Sequence, residues 1–337
     1  MRSASVKHHI ALLLLVVVLL AAACFEGRDQ IVLVSERDGD SEVVLLDPEN
    51  GETTRLTSNS GSDCSPSWSP DRKRVAYLTD QSGSVEINLV NKSDHSTVRL
   101  TNYGEVQSVS WSPDSQRLAF VSSHEGNPEI YVVSAEGNAP TRLTFNSVED
   151  HLGDWSPDGE WLVFYSESPG GDSGLWLRNP SGVNLIHLTR GNDSDPVWSP
   201  DNQRIAFVRT QEDNQDIYVV EKPGDGTWRD EIEEVRLTQG SANEVSPVWS
   251  PDGKSIAFVS FRDGRAEIYT MRADGSQQER LTRNEADDLS PVWSPDGKQI
   301  AFVSDLYGAG EIFVMDADGG RQRRLTNNDV EDSDPHW

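Results

Sequence analysis

Seven tryptophans, Trp68, Trp111, Trp155, Trp198, Trp249, Trp293 and Trp337, recur at steps of 43, 44, 43, 51, 44 and 44 residues. They mark one repeating unit, seen twice in succession as VWSPDGKSIAFVSFRDGRAEIYTMRADGSQQERLT (248–282) and VWSPDGKQIAFVSDLYGAGEIFVMDADGGRQRRLT (292–326). Each unit holds four short apolar stretches, of the types VWS, IAFVS, EIYTM and RLT. They are too short for helices and rich in β-branched and aromatic residues, so they read as strands. Turn chemistry separates them. In Ser-Pro-Asp-Gly the proline presets φ at the second turn position, and Gly159, Gly253 or Gly297 accepts a left-handed backbone. Asn202 tolerates that backbone at the same place, whereas Arg72 and Ser115 suit it less. No stretch after residue 30 sustains helical periodicity, and the fold class is all-β.

A period near 44 with four strands per unit describes a β-propeller blade. Second strands begin at Ile31, Val75, Leu118, Leu162, Ile205, Ile256 and Ile300; fourth strands end at Thr57, Thr101, Thr144, Thr189, Thr238, Thr282 and Thr326. There are seven of each, yet only six units run uninterrupted. The repeats start at a second strand, QIVLVS (30–35), and finish at a first strand, DPHW (334–337). The two fragments complement each other. Residues 30–337 are therefore expected to form one seven-bladed β-propeller of four-stranded antiparallel blades, with the N- and C-terminal strands sharing a blade. Such closure removes two exposed sheet edges. A six-bladed ring with a leftover fragment is the alternative.

Two internal regularities bear on the blades. The third strand opens on an acid in six of them (Glu42, Glu86, Glu129, Asp216, Glu267, Glu311), and Arg precedes Leu-Thr in six (Arg55, Arg99, Arg142, Arg236, Arg280, Arg324). The exceptions, Gly174 and His187, fall in the same blade, which implies a cross-strand ion pair lost as a unit. If exposed, such a pair is worth about 0.2–1 kcal/mol. The 51-residue step reflects EKPGDGTWRDEIEEV (221–235), an insertion between strands three and four.

Residues 1–23 read as an export signal, with Arg2 and Lys7 before a 14-residue apolar run from Ile10 to Ala23. That run is short for a membrane span. It ends in LAAAC, which resembles the lipobox of bacterial lipoproteins, although Ala21 stands where that pattern prefers Leu. The resemblance implies lipidation of Cys24, a tether over residues 24–29 and attachment to a membrane at the cell envelope, facing either periplasm or cell surface. Plain signal cleavage is the alternative. Without Arg2 and Lys7 the chain carries 27 bases against 56 acids, a net charge of −29. Nucleic acid is a poor partner for such a surface; cationic segments and metal ions are better ones. Cys64, the other cysteine, reads as an ordinary small side chain.

The unit WSPDGK..IAFVS.....EIY.M..DG...RLT resembles the WD40-like repeat of the TolB family, also met in prolyl-oligopeptidase-type propellers and in lipoproteins. The resemblance covers residues 30–337 and implies a fold far more than a function. TolB proper has a six-bladed propeller preceded by an α/β domain; here only Phe25 to Gln30 lie between the anchor and the first strand. Neither a Tol-Pal role nor peptidase activity is therefore carried over.

The loop from Leu-Thr to the next Trp should sit at the top of the propeller, by the channel mouth. Each such loop has an acid five or six residues before the Trp: Asp63, Glu105, Asp150, Asp193, Glu244, Asp288 and Asp332. As a binding rim these would hold a cationic peptide or a divalent cation at the mouth. As loop builders each would cap its own backbone. Enzyme signals are sparse. GGDSG (170–174) is a loop and no Gly-x-Ser-x-Gly occurs. His95, His124, His151, His187 and His336 fall in different blades without metal-ligand spacing. No cofactor is identified. The reading is an exported, lipid-anchored propeller that binds a protein or ligand, or serves as a scaffold, with its acidic top directed away from the membrane. The alternatives are a metal-assisted carbohydrate-active enzyme, since some seven-bladed relatives of the repeat are metal-dependent polysaccharide lyases, and a sensor or assembly component of an envelope complex.

Overall fold

The apolar runs become strands buried on both faces, which is why IAFVS lacks an alternating polar position. In the computed structural model, which describes residues 29–37, 39–167 and 173–337, they form seven four-stranded antiparallel sheets. We number as blades 1 to 6 the sheets spanning 63–99, 106–142, 149–187, 192–236, 244–280 and 288–324. Blade 7 combines Asp332–His336 with Ile31–Arg37, Asp40–Leu46 and Thr53–Arg55, in that order. Each blade's first strand touches the first strand of the next, and that of blade 7 touches that of blade 1. The first strands thus form the inner ring, and the expected seven-bladed closure is the observed one. The segment 1–28, with Cys24, lies outside the described residues. No helix among the described residues is long and apolar enough to cross a membrane.

The core lies between blades. Alternate residues of one strand face opposite neighbours: Ile31, Leu33, Val44 and Leu46 pack on blade 6, whereas Val32, Val43 and Leu45 pack on blade 1. The motif tryptophans rivet adjacent blades. Trp111, Trp155, Trp249 and Trp293 each donate Nε1–H to a carbonyl of the preceding inner strand, at 3.1–3.3 Å. At the seam the acceptors change: Trp68 donates to Gln30 and Trp337 to Asp29. The bottom turns take the left-handed backbone throughout, including at Arg72 (φ 60°) and Ser115 (φ 59°), the two residues that suit it less.

The insertion of blade 4 reaches back over blade 3. Trp228 is buried edge-on against Trp198, and the Glu231 and Ile232 amides donate to the carbonyls of His187 and Leu188. The Asp230 carboxylate accepts from the His187 amide. The outer edge strand of blade 3 is therefore covered, which protects it from strand addition.

Candidate functional site

The threonine of each Leu-Thr is the hub of the top. In all seven blades its Oγ1 accepts, at 2.9 Å, the amide of the residue that follows the third-strand acid, or Gly174 in blade 3. Its hydroxyl then donates to a carboxylate, as Thr57 does to Glu42 and Thr101 to Glu86, both at 2.6 Å. The expected ion pair is present: Arg99–Glu86 at 2.9 Å, Arg142–Glu129 at 2.8 Å, Arg236–Asp216 at 2.6 Å, and the equivalent pairs Arg280–Glu267 and Arg324–Glu311. Arg55 lies within electrostatic reach of Glu42. One point differs from expectation: the acid is buried, not exposed, because the threonine draws it under the arginine. In blade 3, where Gly174 replaces the acid, Thr189 donates instead to Asp193 at 2.5 Å. Gly174 has φ +138°, and a Cβ there would collide with the Thr189 carbonyl, so no acid fits.

Of the seven acids placed before the tryptophans, Asp63, Asp150, Asp193, Glu244, Asp288 and Asp332 are buried. Asp63, Asp150, Asp288 and Asp332 each accept from an asparagine four residues earlier, at 2.6–2.8 Å. Asp193 binds Arg209, and Glu244 binds Ser260 and Arg262. Glu105 alone is exposed; in its blade Val106 fills the buried position. Burial raises the carboxyls of Asp63, Asp150, Glu244, Asp288 and Asp332. A carboxyl raised on folding leaves the unfolded chain the more ionised as pH rises, so its stability contribution falls between the ordinary carboxylate range and the folded value. His336 acts oppositely, being held to about 4 by burial and by Arg72, and loses stability as pH falls below its ordinary range. The carboxyl effect is therefore read by difference. On acidification from neutral pH to the ordinary carboxylate range, about pH 4, thermal unfolding of the wild type should gain relative to Asp288→Asn; parallel curves would refute it.

Exposed inner-strand groups face the channel. Asp195 of blade 4 and Asp334 of blade 7 occupy the same bulge, at φ 49° and 48°, where Ser65, Ser246 and Ser290 stand in other blades. Asp195 keeps an open surface, yet the surrounding blades enclose it and raise its carboxyl. Beside it His151 stacks on Tyr165 (4.7 Å, 17°), with Glu167 and Glu149 at 3.7 and 3.9 Å from His151 Nε2. Desolvation, with Asp195 and Glu167, pushes the Tyr165 hydroxyl up to about 12. Among the described residues no group of three or more His, Cys, Asp or Glu is arranged to hold a metal ion. Burial pushes the Cys64 thiol up, which suits a packing role over a nucleophilic one.

A second recess lies where the repeat breaks on both sides of one blade boundary. A cleft of about 520 Å³ opens between blades 2 and 3, lined among others by Leu143, Phe145, Phe164, Trp176, Arg178 and Leu185. Phe145 is 71% exposed at a position held by Ser58, Asn102, Arg190, Gln239, Arg283 and Asn327 in the other blades. Trp176 lies between Phe164 (6.5 Å) and His187 (3.8 Å, 3°), and its Nε1–H is buried without a partner. The Arg–acid bridge that spans this region of neighbouring blades is missing here. The cleft is not apparent in the sequence because its residues come from three strands of blade 3 and the loop before them, although Phe145 is visible there as a misfit. The GGDSG residues 170–172 lie outside the described residues.

The TolB beta propeller domain family profile matches residues 103–191, 173–285 and 261–337. A curated relative, the protein TolB homolog of Chlorobium chlorochromatii (strain CaD3), is 33% identical over 108 residues, 32% of this chain and 22% of that protein. The chain thus matches less than a quarter of that relative's length. Among solved structures, TolB from Acinetobacter baumannii superposes with a TM-score of 0.59 at 22% identity, covering 91% of this chain and 66% of that one. An oligogalacturonate lyase in complex with manganese superposes with a TM-score of 0.69 at 18% identity, covering 85% of each chain. At these identities the two structures speak for the fold alone.

Proposed function

The chain belongs to the TolB beta propeller domain family, and we propose that it works as a protein-binding module of the cell envelope, exported by residues 1–23 and held by a lipid on Cys24. The observation that carries the reading is the cleft between blades 2 and 3. An exposed aromatic, Phe145, stands over a recess walled by Phe164, Trp176 and Leu185, and exposed apolar surface framed by polar residues is what a partner's side-chain anchor buries. Its volume suits one large side chain and the adjoining backbone. The exposed acids Glu105, Glu149, Asp195 and Asp334 around the mouth favour a partner that brings positive charge to the top face. Asp63, Asp150, Asp193, Glu244, Asp288 and Asp332, being buried, shape that rim and add to its field without touching the partner. With the tether leaving at the bottom, the top points away from the membrane.

The test is photocrosslinking in intact cells. A photoreactive residue at Phe145 should yield a discrete protein adduct, one at Lys254 on the bottom should not, and Trp176→Ala should reduce the Phe145 adduct several-fold. Equal adducts at both positions, or none at Phe145, would remove the reading.

A further inference from the structure

All five lysines among the described residues, Lys73, Lys92, Lys222, Lys254 and Lys298, lie in turns at the bottom of the propeller. Three of them are neutralised within their own turns: Lys73 by Asp71 (3.7 Å), Lys254 by Asp252 (2.9 Å) and Lys298 by Asp296 (2.8 Å). Lys92 has no such partner. It converges with Arg72 on one aromatic ring, the Lys92 Nζ at 5.2 Å and the Arg72 Cζ at 5.6 Å from the centre of Trp68. Among the described residues each other motif tryptophan with a cation over it carries one: Arg74 on Trp111, Arg117 on Trp155, Arg204 on Trp249. Two cations on one ring repel each other, and that arrangement needs a reason.

The surroundings sharpen the contrast. Neither Arg72 nor Lys92 forms an ion pair among the described residues, and Arg72 Nη1 is buried without a hydrogen-bond partner. The Nδ1 of His336, on the inner strand of blade 7, is likewise buried and unpartnered. Among the described residues the acid acting on Arg72 and Lys92 is Asp29, which is exposed. Burial and mutual repulsion lower the Lys92 ammonium, and burial lowers the Arg72 guanidinium; His336, depressed by the same burial and by Arg72, is neutral at physiological pH and keeps one ring N–H to donate. On a chain of net charge −27 this is a concentration of unsatisfied donors that an anion would relieve.

We propose that the bottom end of the channel is an oxyanion site in which Arg72, Lys92 and His336 hold a phosphate group beside Trp68. Three donors from three separate elements match the several acceptor oxygens of a tetrahedral phosphate better than the two of a carboxylate. The Gln30 and Asp29 carbonyls, bound by the Trp68 and Trp337 indoles, pin the start of the described chain at this same end. A phosphate here comes either from a free ion or from a phospholipid headgroup next to the tether.

The indole N–H signals of Trp68 and Trp337 report directly on the site. Full-length chain in an uncharged detergent is titrated with inorganic phosphate in one arm and with glycerophosphoglycerol, the acyl-free headgroup of phosphatidylglycerol, in the other. Saturable shifts of both indoles are expected, with that of Trp249 unmoved. Lys92→Met, which keeps an apolar stem on Trp68, should weaken binding about ten-fold or more, and Asp29→Asn should strengthen it. A response to phosphate alone assigns the free ion, a response to the diester alone assigns the headgroup, and a response to both assigns the phosphate group irrespective of source. No saturable shift in either arm, or undiminished affinity in Lys92→Met, overturns the proposal.

Discussion

A chain lacking Asp334 to Trp337 is expected to unfold at a much lower temperature and to self-associate. These residues complete the inner strand of blade 7, where Val32 pairs with His336, Val34 with Ser333 and Ser35 with Asp332. Trp337 is buried among Ile31, Leu33, Val44, Leu46, Ile312, Val314 and Leu325, and its Nε1 donates to the Asp29 carbonyl at 2.8 Å. Losing that side chain alone costs about 3–5 kcal/mol. The Val32–His336 pairing goes with it while the Ser333 and Asp332 pairings remain, and the start of Ile31–Arg37 becomes an open edge able to recruit another chain. Trp337→Ala keeps the strand and isolates the packing share. Urea unfolding with light scattering separates the two effects. A truncated chain as stable and as monodisperse as the full one would show that the closure is not what holds the ring.

The blade count was legible because the evidence for it is repeated. Seven second strands and seven fourth strands cannot be reconciled with six complete units unless the chain ends share a blade. The ion pair was legible through its joint loss at Gly174 and His187. Burial was less so. An acid before a tryptophan looks the same in sequence whether it faces a channel or a threonine hydroxyl, and the two differ only in which side of a bulged strand it occupies. A signal did exist: Asn59, Asn146, Asn284 and Asn328 stand two residues after the threonine of Leu-Thr in just the blades whose inner acid they bind. Where that asparagine is absent, the acid is gone (Val106) or is met by an arginine (Arg209, Arg262). Such compensation marks a structural pair and distinguishes these six acids from Glu105. The cleft and the Arg72–Lys92 pair were not legible, since each depends on residues from separate strands meeting in space.

Arg209→Ser is expected to destabilise the protein by about 3–5 kcal/mol, although serine is what five other blades carry at the same place (Ser35, Ser122, Ser166, Ser260 and Ser304). Arg209 is 6% exposed and clamps Asp193 with two bonds, Nε to Oδ1 at 2.6 Å and Nη2 to Oδ2 at 2.7 Å. It also pairs with Glu234, at the end of the blade 4 insertion, and lies over Phe207 and Tyr218. Two carboxylates raise its guanidinium far above the ordinary range despite burial, so it stays charged throughout. The backbone has been shaped to it: a Cβ on Gly191 would meet its Nε at 2.7 Å. Serine would restore the repeat locally but leave Asp193 buried without its cation and free Glu234, loosening the insertion that covers blade 3. If the loss is electrostatic, Arg209→Ser combined with Asp193→Asn should recover part of it, because the stranded charge is gone. If the loss is packing alone, the second change should add to the damage. Equal unfolding midpoints for wild type and Arg209→Ser would mean that the insertion is held by Trp228 and its backbone bonds without help from this ion pair.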